Sequence, residues 1–307
     1  MRFESVSKMG SCERRFWGKT RFFLALGVCA FVLGFSVTTP AEDQKPEVEI
    51  ALASRKVQDG HLAHLRLSGP GVLAPDLKAH GRLGETRFEF FGVDGVFAVP
   101  FNTPPGAQTV EVTLESAAGT RKVEIQFEVI SGNYKEEALP VDPKFVKLSE
   151  ESLARISEES RDIAQVYGNS SPERLWVGRF RLPIKSRLTS RFGNKRMFNG
   201  ALQSFHTGAD LKAHKGRSVR AAGDGIVVMT RDLFFTGNTV IIDHGLGFLT
   251  VYAHLSHFKA KQGDRVKAGQ IVAFSGNTGR SSGPHLHWGA VAHRVKFDPL
   301  DLLKVLP

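Results

Sequence analysis

Cysteine is almost absent from this sequence of 307 residues. The two cysteines that occur, Cys12 and Cys29, both lie within the first 41 residues. Residues 42–307 therefore offer no thiol for a disulfide, for nucleophilic catalysis or for metal binding. A disulfide-stabilised fold and a catalytic cysteine are excluded for this part of the chain.

Long apolar runs are also scarce, and the clearest one is Phe22–Phe35. Basic residues precede it and the small-residue stretch Thr38–Ala41 follows it, which is the order of a secretory signal. The run is shorter than the roughly 20 residues that a membrane-spanning helix needs. We predict cleavage near Ala41 and export to the periplasm or cell envelope. If the segment is retained, it would anchor the chain to a membrane.

The formal net charge of +10 is distributed unevenly. Residues 42–170 carry 14 Lys/Arg against 21 Asp/Glu, whereas residues 171–307 carry 21 Lys/Arg against eight Asp/Glu. A basic C-terminal region predicts attraction to an anionic partner, either nucleic acid or an anionic cell-wall polymer. No basic-aromatic recognition motif accompanies the charge, so we predict no nucleic-acid partner.

Glycine is abundant, with 31 residues, and indicates a mostly β fold rich in turns. Short alternating segments separated by Gly/Pro turns predict a β-sandwich-like accessory domain over residues 42–132. Residues 133–177 are predicted to be a linker with one helix that begins after the N-cap Ser149. Residues 178–307 are predicted to form a glycine-rich antiparallel β-sheet domain.

Three separated stretches of this C-terminal region contain residues typical of metal chemistry. His285 and His287 are two residues apart, so on a strand both side chains face the same side. His206 and Asp210 add an imidazole and a carboxylate, and His254 ends an apolar alternating run. Zinc with three protein ligands and one open position needs about this set of side chains.

Residues 182–300 resemble the M23 metallopeptidases of the lysostaphin and LytM type. The resemblance rests on four motifs and on the glycines between them. In chain order the motifs are Ser190-Arg191-Phe192-Gly193, His206-Thr207-Gly208-Ala209-Asp210, Tyr252-Ala253-His254-Leu255 and Gly276-Asn277-Thr278-Gly279-Arg280-Ser281-Ser282-Gly283-Pro284-His285-Leu286-His287.

The resemblance implies a function and a role for each site residue. It implies that His206, Asp210 and His287 bind Zn²⁺, and that His254 and His285 are catalytic residues that do not bind the metal. The implied reaction is hydrolysis of peptide crosslinks between peptidoglycan peptide stems. For an exported member of the family we expect a D-Ala to diaminopimelate bond, with a glycine-glycine bond as the alternative.

Two other functions compete with this interpretation. One is a catalytically silent LytM-type activator of another cell-wall hydrolase, but such proteins lose zinc ligands and this sequence retains all three. The other is a lipoyl-like carrier, suggested by the hairpin pattern of residues 263–270. A carrier would leave the five placed histidine and aspartate residues unexplained.

Overall fold

Strands dominate the computed structural model, which describes residues 48–139, 148–198 and 201–306. The predicted secretory segment, residues 1–41, lies outside the described residues. None of the helices in the described ranges is long and apolar enough to cross a membrane.

Eight strands between residues 49 and 130 form the first sheet. They are β1 (Glu49–Leu52), β2 (Lys56–Gln58), β3 (Leu62–Ser68), β4 (Lys78–Leu83), β5 (Thr86–Phe91), β6 (Asp94–Ala98), β7 (Gly106–Ser116) and β8 (Gly119–Ile130). Their order is β1-β3-β6-β5-β4-β7-β8-β2, and all neighbours are antiparallel except β2 and β8. A short 3₁₀ helix, Pro70–Leu73, follows β3.

The first sheet folds back on itself around one apolar core. Phe97 on β6 and Phe127 on β8 are separated by three strands in the sheet order, yet their ring centroids lie 5.8 Å apart. Phe88 on β5 stacks on Phe97 at 5.0 Å. The core therefore has the sandwich-like form expected from the alternating pattern. The strand pairing is nevertheless continuous, because β5 pairs with both β4 and β6.

The segment predicted to be a linker with one helix also contains a strand. Strand β9 (Glu136–Leu139) pairs in parallel with β11 (Lys195–Phe198) of the C-terminal half. The predicted helix is α1 (Glu150–Gly168), and Ser149 caps it by accepting a hydrogen bond from Ser152 N at 3.2 Å. The helix prediction is confirmed, whereas the strand was missed because its pairing partner lies about 60 residues away.

The C-terminal half contains the strands that carry the histidine motifs. They are β10 (Leu188–Ser190), β12 (Ala201–Phe205), β13 (Ala209–Lys212), β14 (Ser218–Arg220), β15 (Gly225–Leu233), β16 (Gly237–Gly245), β17 (Phe248–Phe258), β18 (Arg265–Val266), β19 (Ile271–Ser275), β20 (His285–Ala292) and β21 (Val295–Phe297). The main path of the large antiparallel sheet is β10-β13-β20-β17-β16-β15-β18. Strands β9, β11 and β12 form a small second sheet beside it. The expected antiparallel hairpin architecture is confirmed.

Buried contacts join the two halves of the described chain. Leu62 and Trp176 belong to the same core cluster as Trp288 of β20. Asp301, in the 3₁₀ helix Pro299–Leu303, accepts hydrogen bonds from Leu62 N at 3.0 Å and pairs with His61 Nδ1 at 2.9 Å. The first sheet and the C-terminal half are therefore packed as one unit.

One buried carboxylate helps to hold helix α1 against the large sheet. Glu159, 5% exposed, accepts the backbone N–H of Phe234 at 2.9 Å and the Nε of Arg155 at 2.6 Å. Phe234 follows the last residue of β15, so this contact holds the helix against the turn that leads into β16. Burying an ionised carboxylate is costly unless hydrogen bonds compensate it, and here they do.

We expect Glu159→Ala to lower the free energy of unfolding by about 2 kcal/mol, because it removes the charge-assisted hydrogen bonds that the carboxylate accepts from Phe234 N and Arg155 Nε. Urea denaturation measures the loss. The matched control is Glu158→Ala, whose exposed carboxylate pairs with Arg231 at 3.3 Å and should contribute well under 1 kcal/mol. Equal losses in the two variants would contradict this account.

Candidate metal centre

Strand register brings the three expected metal ligands together. In the antiparallel pairing of β13 with β20, Asp210 lies directly opposite His287. His206 precedes β13 and is the third member of the group. Gly208 allows this approach, since a Cβ at that position would lie 2.5 Å from Trp288 O and 2.7 Å from a ring atom of His287. All three ligand residues are buried, with exposed fractions of 1%, 6% and 8% for His206, Asp210 and His287.

The ligand atoms converge on one point. His206 Nε2 lies 2.9 Å from Asp210 Oδ1 and 3.0 Å from His287 Nδ1, and the His287 nitrogen lies 2.9 Å from the same oxygen. Burial lowers the pKa of His287 to about 4, so its ring is neutral near pH 7. Burial alone would raise the pKa of Asp210, but His206 and His287 lower it well below its usual range. Two imidazoles and one carboxylate fit a divalent metal such as zinc.

The orientation of His206 is set by the chain just before it. Its Nδ1 lies 2.8 Å from Arg191 O, an acceptor, so this nitrogen carries the proton and Nε2 presents its lone pair to the site. Ser190 Oγ lies 2.9 Å from the same Nδ1 and donates to the carboxylate of Glu137 at 2.7 Å. Such outer hydrogen bonds orient metal-binding histidines.

His254 and His285 flank the ligand set. Their ring centroids lie 4.8 Å apart, and His254 lies 5.9 Å from His287. The Nδ1 of His254 donates to Thr278 O at 2.8 Å, and the Nδ1 of His285 donates to Gly283 O at 2.7 Å. In both rings Nε2 is therefore left as a proton acceptor. Burial, reinforced by the neighbouring histidines, lowers the pKa of His254 to about 3.

His254 lies inside a strand at an irregular point, not at its end. Strand β17 continues to Phe258, and its pairing with β16 shifts register between Tyr252 and Leu255. His254 adopts a positive φ of 58°, a backbone conformation that residues other than glycine rarely adopt. This irregularity turns the ring toward the metal ligands, and such backbone strain is concentrated at functional sites.

The loop that carries Thr278 is tied to the sheet by close backbone contacts. Thr278 Oγ1 donates to Leu255 O at 2.8 Å and accepts from Asn238 N at 2.9 Å. Gly279, with φ of 68°, passes so close to the chain that a Cβ would lie 2.3 Å from Gly237 N. The Gly-Asn-Thr-Gly pattern thus holds the carbonyl that orients His254.

Sequence reasoning missed a basic residue at the centre. Arg196, on β11, pairs with Asp210 through Nη2 and Oδ2 at 2.8 Å. The carboxylate therefore offers Oδ1 to the ligand set while Oδ2 binds the guanidinium. Arg196 lies between two recognised motifs and follows no spacing that would have distinguished it from other surface arginines.

The remaining histidines of the C-terminal half lie away from the centre. His244 is fully buried, with Nδ1 2.7 Å from Asp224 O and Nε2 2.8 Å from Thr250 Oγ1. Its burial lowers its pKa to about 4. His257 stacks on Phe274 at 4.3 Å, whereas His214 is exposed. Their contacts indicate structural or surface roles.

Comparison with known proteins now separates this centre from a generic metal site. The sequence model of Peptidase family M23 matches residues 204–299, and this span contains all five histidine and aspartate residues of the candidate site. Residues 204–299 therefore form a region of the peptidase family M23 type. The predicted resemblance to this family is thereby confirmed.

Two relatives and one solved structure describe the similarity of this chain to known proteins. It is 39% identical over 127 residues to the peptidoglycan DD-endopeptidase ShyA of Vibrio cholerae, covering 41% of this chain and 29% of ShyA. It is 38% identical over 122 residues to the DD-carboxypeptidase/endopeptidase Mpg of Neisseria meningitidis, covering 40% of this chain and 27% of Mpg. The aligned part thus spans under a third of these relatives.

The solved structure extends the similarity beyond the peptidase region. A crystal structure from Pseudomonas aeruginosa, described as peptidase M23, matches with a TM-score of 0.63 and 27% identity. The match covers 81% of this chain and 95% of that one. Because residues 204–299 are a much smaller share of the chain, the shared fold includes strands outside the family match.

We expect metal content to distinguish the ligands from the flanking histidines. His206→Ala, Asp210→Ala and His287→Ala should each lose a stoichiometric divalent metal, because each removes one of three candidate donors. His254→Ala and His285→Ala should retain it. Elemental analysis of dialysed protein gives the metal-to-protein ratio. A His254→Ala protein that folds but loses its metal would show that this residue is a ligand.

Proposed function

We propose that this protein is an exported zinc metalloendopeptidase that hydrolyses peptide crosslinks of bacterial peptidoglycan. The observation that carries the proposal is the convergence of His206, Asp210 and His287 beside two further histidines with accepting nitrogens. A structural metal site is usually closed by four protein ligands, whereas three ligands leave a position open for chemistry.

A metal bound by these three residues would polarise a peptide carbonyl and lower the pKa of a water molecule toward 7. The protein provides the geometry for that chemistry. Arg191 O fixes the tautomer of His206, and Arg196 holds the second oxygen of Asp210. A single anionic ligand leaves a divalent site with a net positive charge, which favours a developing oxyanion.

His285 is proposed as the residue that takes the proton from the attacking water. Gly283 O fixes its Nδ1–H, so Nε2 can accept a proton. That nitrogen is buried and has no hydrogen-bond partner in the part of the chain that the structure describes. It lies 3.6 Å from Asp210 Oδ1, beside the ligand set. The same ring can then return the proton to the leaving amine.

His254 is proposed to stabilise the negative charge that develops on the carbonyl oxygen. Thr278 O binds its Nδ1–H, so only the imidazolium form can donate a hydrogen bond through Nε2. Burial disfavours that form in the resting protein. A developing oxyanion beside the ring would favour uptake of a proton from solvent at Nε2, because opposite charges attract strongly in a site with little water.

The relatives and the charge support peptidoglycan as the substrate. ShyA is named a peptidoglycan DD-endopeptidase, and Mpg a DD-carboxypeptidase/endopeptidase. The excess of basic residues in 171–307 favours association with an anionic wall polymer. We propose the bond between D-Ala and diaminopimelate as the one cut. The silent-activator alternative is disfavoured because the complete ligand set is present.

Digestion of purified crosslinked peptidoglycan tests this function. We expect the zinc-loaded chain to convert crosslinked dimers to monomers, detected by mass spectrometry. Chelation should abolish the conversion, and His285→Ala should lower the rate by about 10²- to 10⁴-fold, the usual contribution of a general base. The mass of the products identifies the bond.

His214→Ala is the matched control, because this histidine is exposed and lies away from the centre. It should retain the activity of the unmodified chain. A folded, zinc-loaded protein that leaves crosslinked dimers intact would refute the peptidase proposal and favour the activator.

A further inference from the structure

The strand pairing at the metal centre also puts a lysine beside His285. In the antiparallel register of β13 with β20, Lys212 lies opposite His285, as Asp210 lies opposite His287. Residues two apart on a strand face the same side, so Lys212 and Asp210 share a face of β13. Cross-strand partners have Cβ atoms about 4.5 to 5.5 Å apart. An exposed cationic side chain is thus the neighbour of the proposed general base.

Lys212 forms part of the wall of a cavity at this centre. The cavity has a volume of about 480 Å³, and its wall also contains His285, Asp210 and Glu137. Asp210 forms its ion pairs with Arg196 and with the histidines of the centre. Glu137 accepts hydrogen bonds from two uncharged side chains, at 2.7 and 2.6 Å. Among the described residues, therefore, neither carboxylate of the cavity wall forms an ion pair with Lys212.

Backbone hydrogen bonds bring three further basic residues next to Lys212. The backbone N–H of Lys212 donates to Arg187 O at 3.0 Å. Arg217 donates through Nη2 to Lys185 O at 2.8 Å and through Nη1 to Lys212 O at 3.4 Å. Both acceptors are uncharged carbonyls, so they orient the guanidinium without cancelling its charge. We call Lys185, Arg187, Lys212 and Arg217 the basic edge.

The charge of the basic edge is not balanced locally. Residues 183–222 contain nine Lys/Arg and one acidic residue, Asp210. The ion pairs that the described residues of this segment form involve Lys195, Arg196 and His206, none of which belongs to the basic edge. Charges that lie within a Debye length, about 8 Å at physiological ionic strength, act on an anion together. The basic edge therefore attracts anions, and through Lys212 it extends into the cavity wall.

We propose that the basic edge binds free carboxylates of the peptide stem that enters the cavity beside His285, and that the protein thereby favours stems whose carboxylates are not amidated. This inference rests on the proposed peptidase function. A peptide stem fits better than a separate phosphate-containing wall polymer, because Lys212 lies in the wall of the cavity at the metal centre. Amidation would remove the negative charge of the stem while leaving its length unchanged.

Two residues of the basic edge can be neutralised without removing a side-chain contact. Arg187 and Lys212 make no side-chain hydrogen bond or ion pair within the described ranges, whereas Arg217 holds two carbonyl groups. The test variant is therefore Arg187→Gln/Lys212→Gln. Each single substitution is a second variant, which keeps the test valid if the double variant is less stable.

The matched control removes the same charge from the other end of the main sheet path. Lys261 and Arg265 are exposed and lie just before and within β18, whereas the basic edge lies beside β10 and β13. Their side chains also make no hydrogen bond or ion pair in the part of the chain that the structure covers. The control variant is Lys261→Gln/Arg265→Gln.

Equilibrium binding to two synthetic crosslinked dimers tests the proposal. The dimers are identical except that the stem carboxylates are free in one and amidated in the other, and the full chain carries His285→Ala so that neither is cleaved. At low ionic strength we expect the free-carboxylate dimer to bind about 2 to 20 times more tightly, the range for two exposed ion pairs. The test variant should reduce this preference toward one, and each single substitution should reduce it partly. The control variant should keep it, and added salt should weaken it.

Equal affinity for the two dimers at low ionic strength would overturn the proposal. A preference that the test variant keeps, or that the control variant also loses, would overturn it as well. A soluble polymer of glycerol phosphate is titrated in the same way. Binding of this polymer that falls in the test variant, without any preference between the dimers, would assign the basic edge to a phosphate-containing partner instead.

Failure of this inference is distinguishable from failure of the peptidase function, because binding is measured without cleavage. A carboxylate preference that depends on Arg187 and Lys212 supports the basic edge even where the unmodified chain cleaves neither dimer. Cleavage of both dimers by the unmodified chain, with equal affinities in the His285→Ala protein, would support the peptidase function and overturn the basic edge. Thermal unfolding of each variant identifies any general damage to the fold.

Discussion

The candidate centre depends on the antiparallel register between β13 and β20. That register puts Asp210 opposite His287, and the pairing of β20 with β17 puts Ala253 opposite the same histidine. A shift of one residue would turn His285 and His287 to the other face of the sheet and separate them from the carboxylate. The buried side chains Leu211, Leu286 and Trp288 alternate with the site residues and fix this register, since they need the core face.

Backbone carbonyls control the protonation pattern of the centre. Arg191 O, Thr278 O and Gly283 O each accept the Nδ1–H of one histidine, which leaves three Nε2 lone pairs directed into the cleft. Burial lowers the pKa of His254 to about 3 and the pKa of His287 to about 4, which keeps these two rings neutral near pH 7. The loops that position these carbonyls therefore determine which ring nitrogen of each histidine carries the proton.

The N-terminal half contributes to the same centre through β9. Glu137 on this strand binds Ser190 and Asn194, and Ser190 contacts the ring of His206. The strand is paired with β11, whose Arg196 binds Asp210. The region before the family match is thus connected by two short hydrogen-bonded routes to the candidate metal ligands, although none of its described residues belongs to the candidate ligand group.

The sequence by itself determined the mostly β character, helix α1 and the group of five site residues, because periodicity, the Ser149 cap and motif spacing are local properties. Tertiary structure decided which distant strands pair and which distant side chains meet. The strand β9 exists only because β11 pairs with it, and the continuous first sheet depends on β5 pairing on both edges. Arg196 became part of the centre because strands distant in sequence bring its charge to Asp210, and long-range packing alone creates such neighbours.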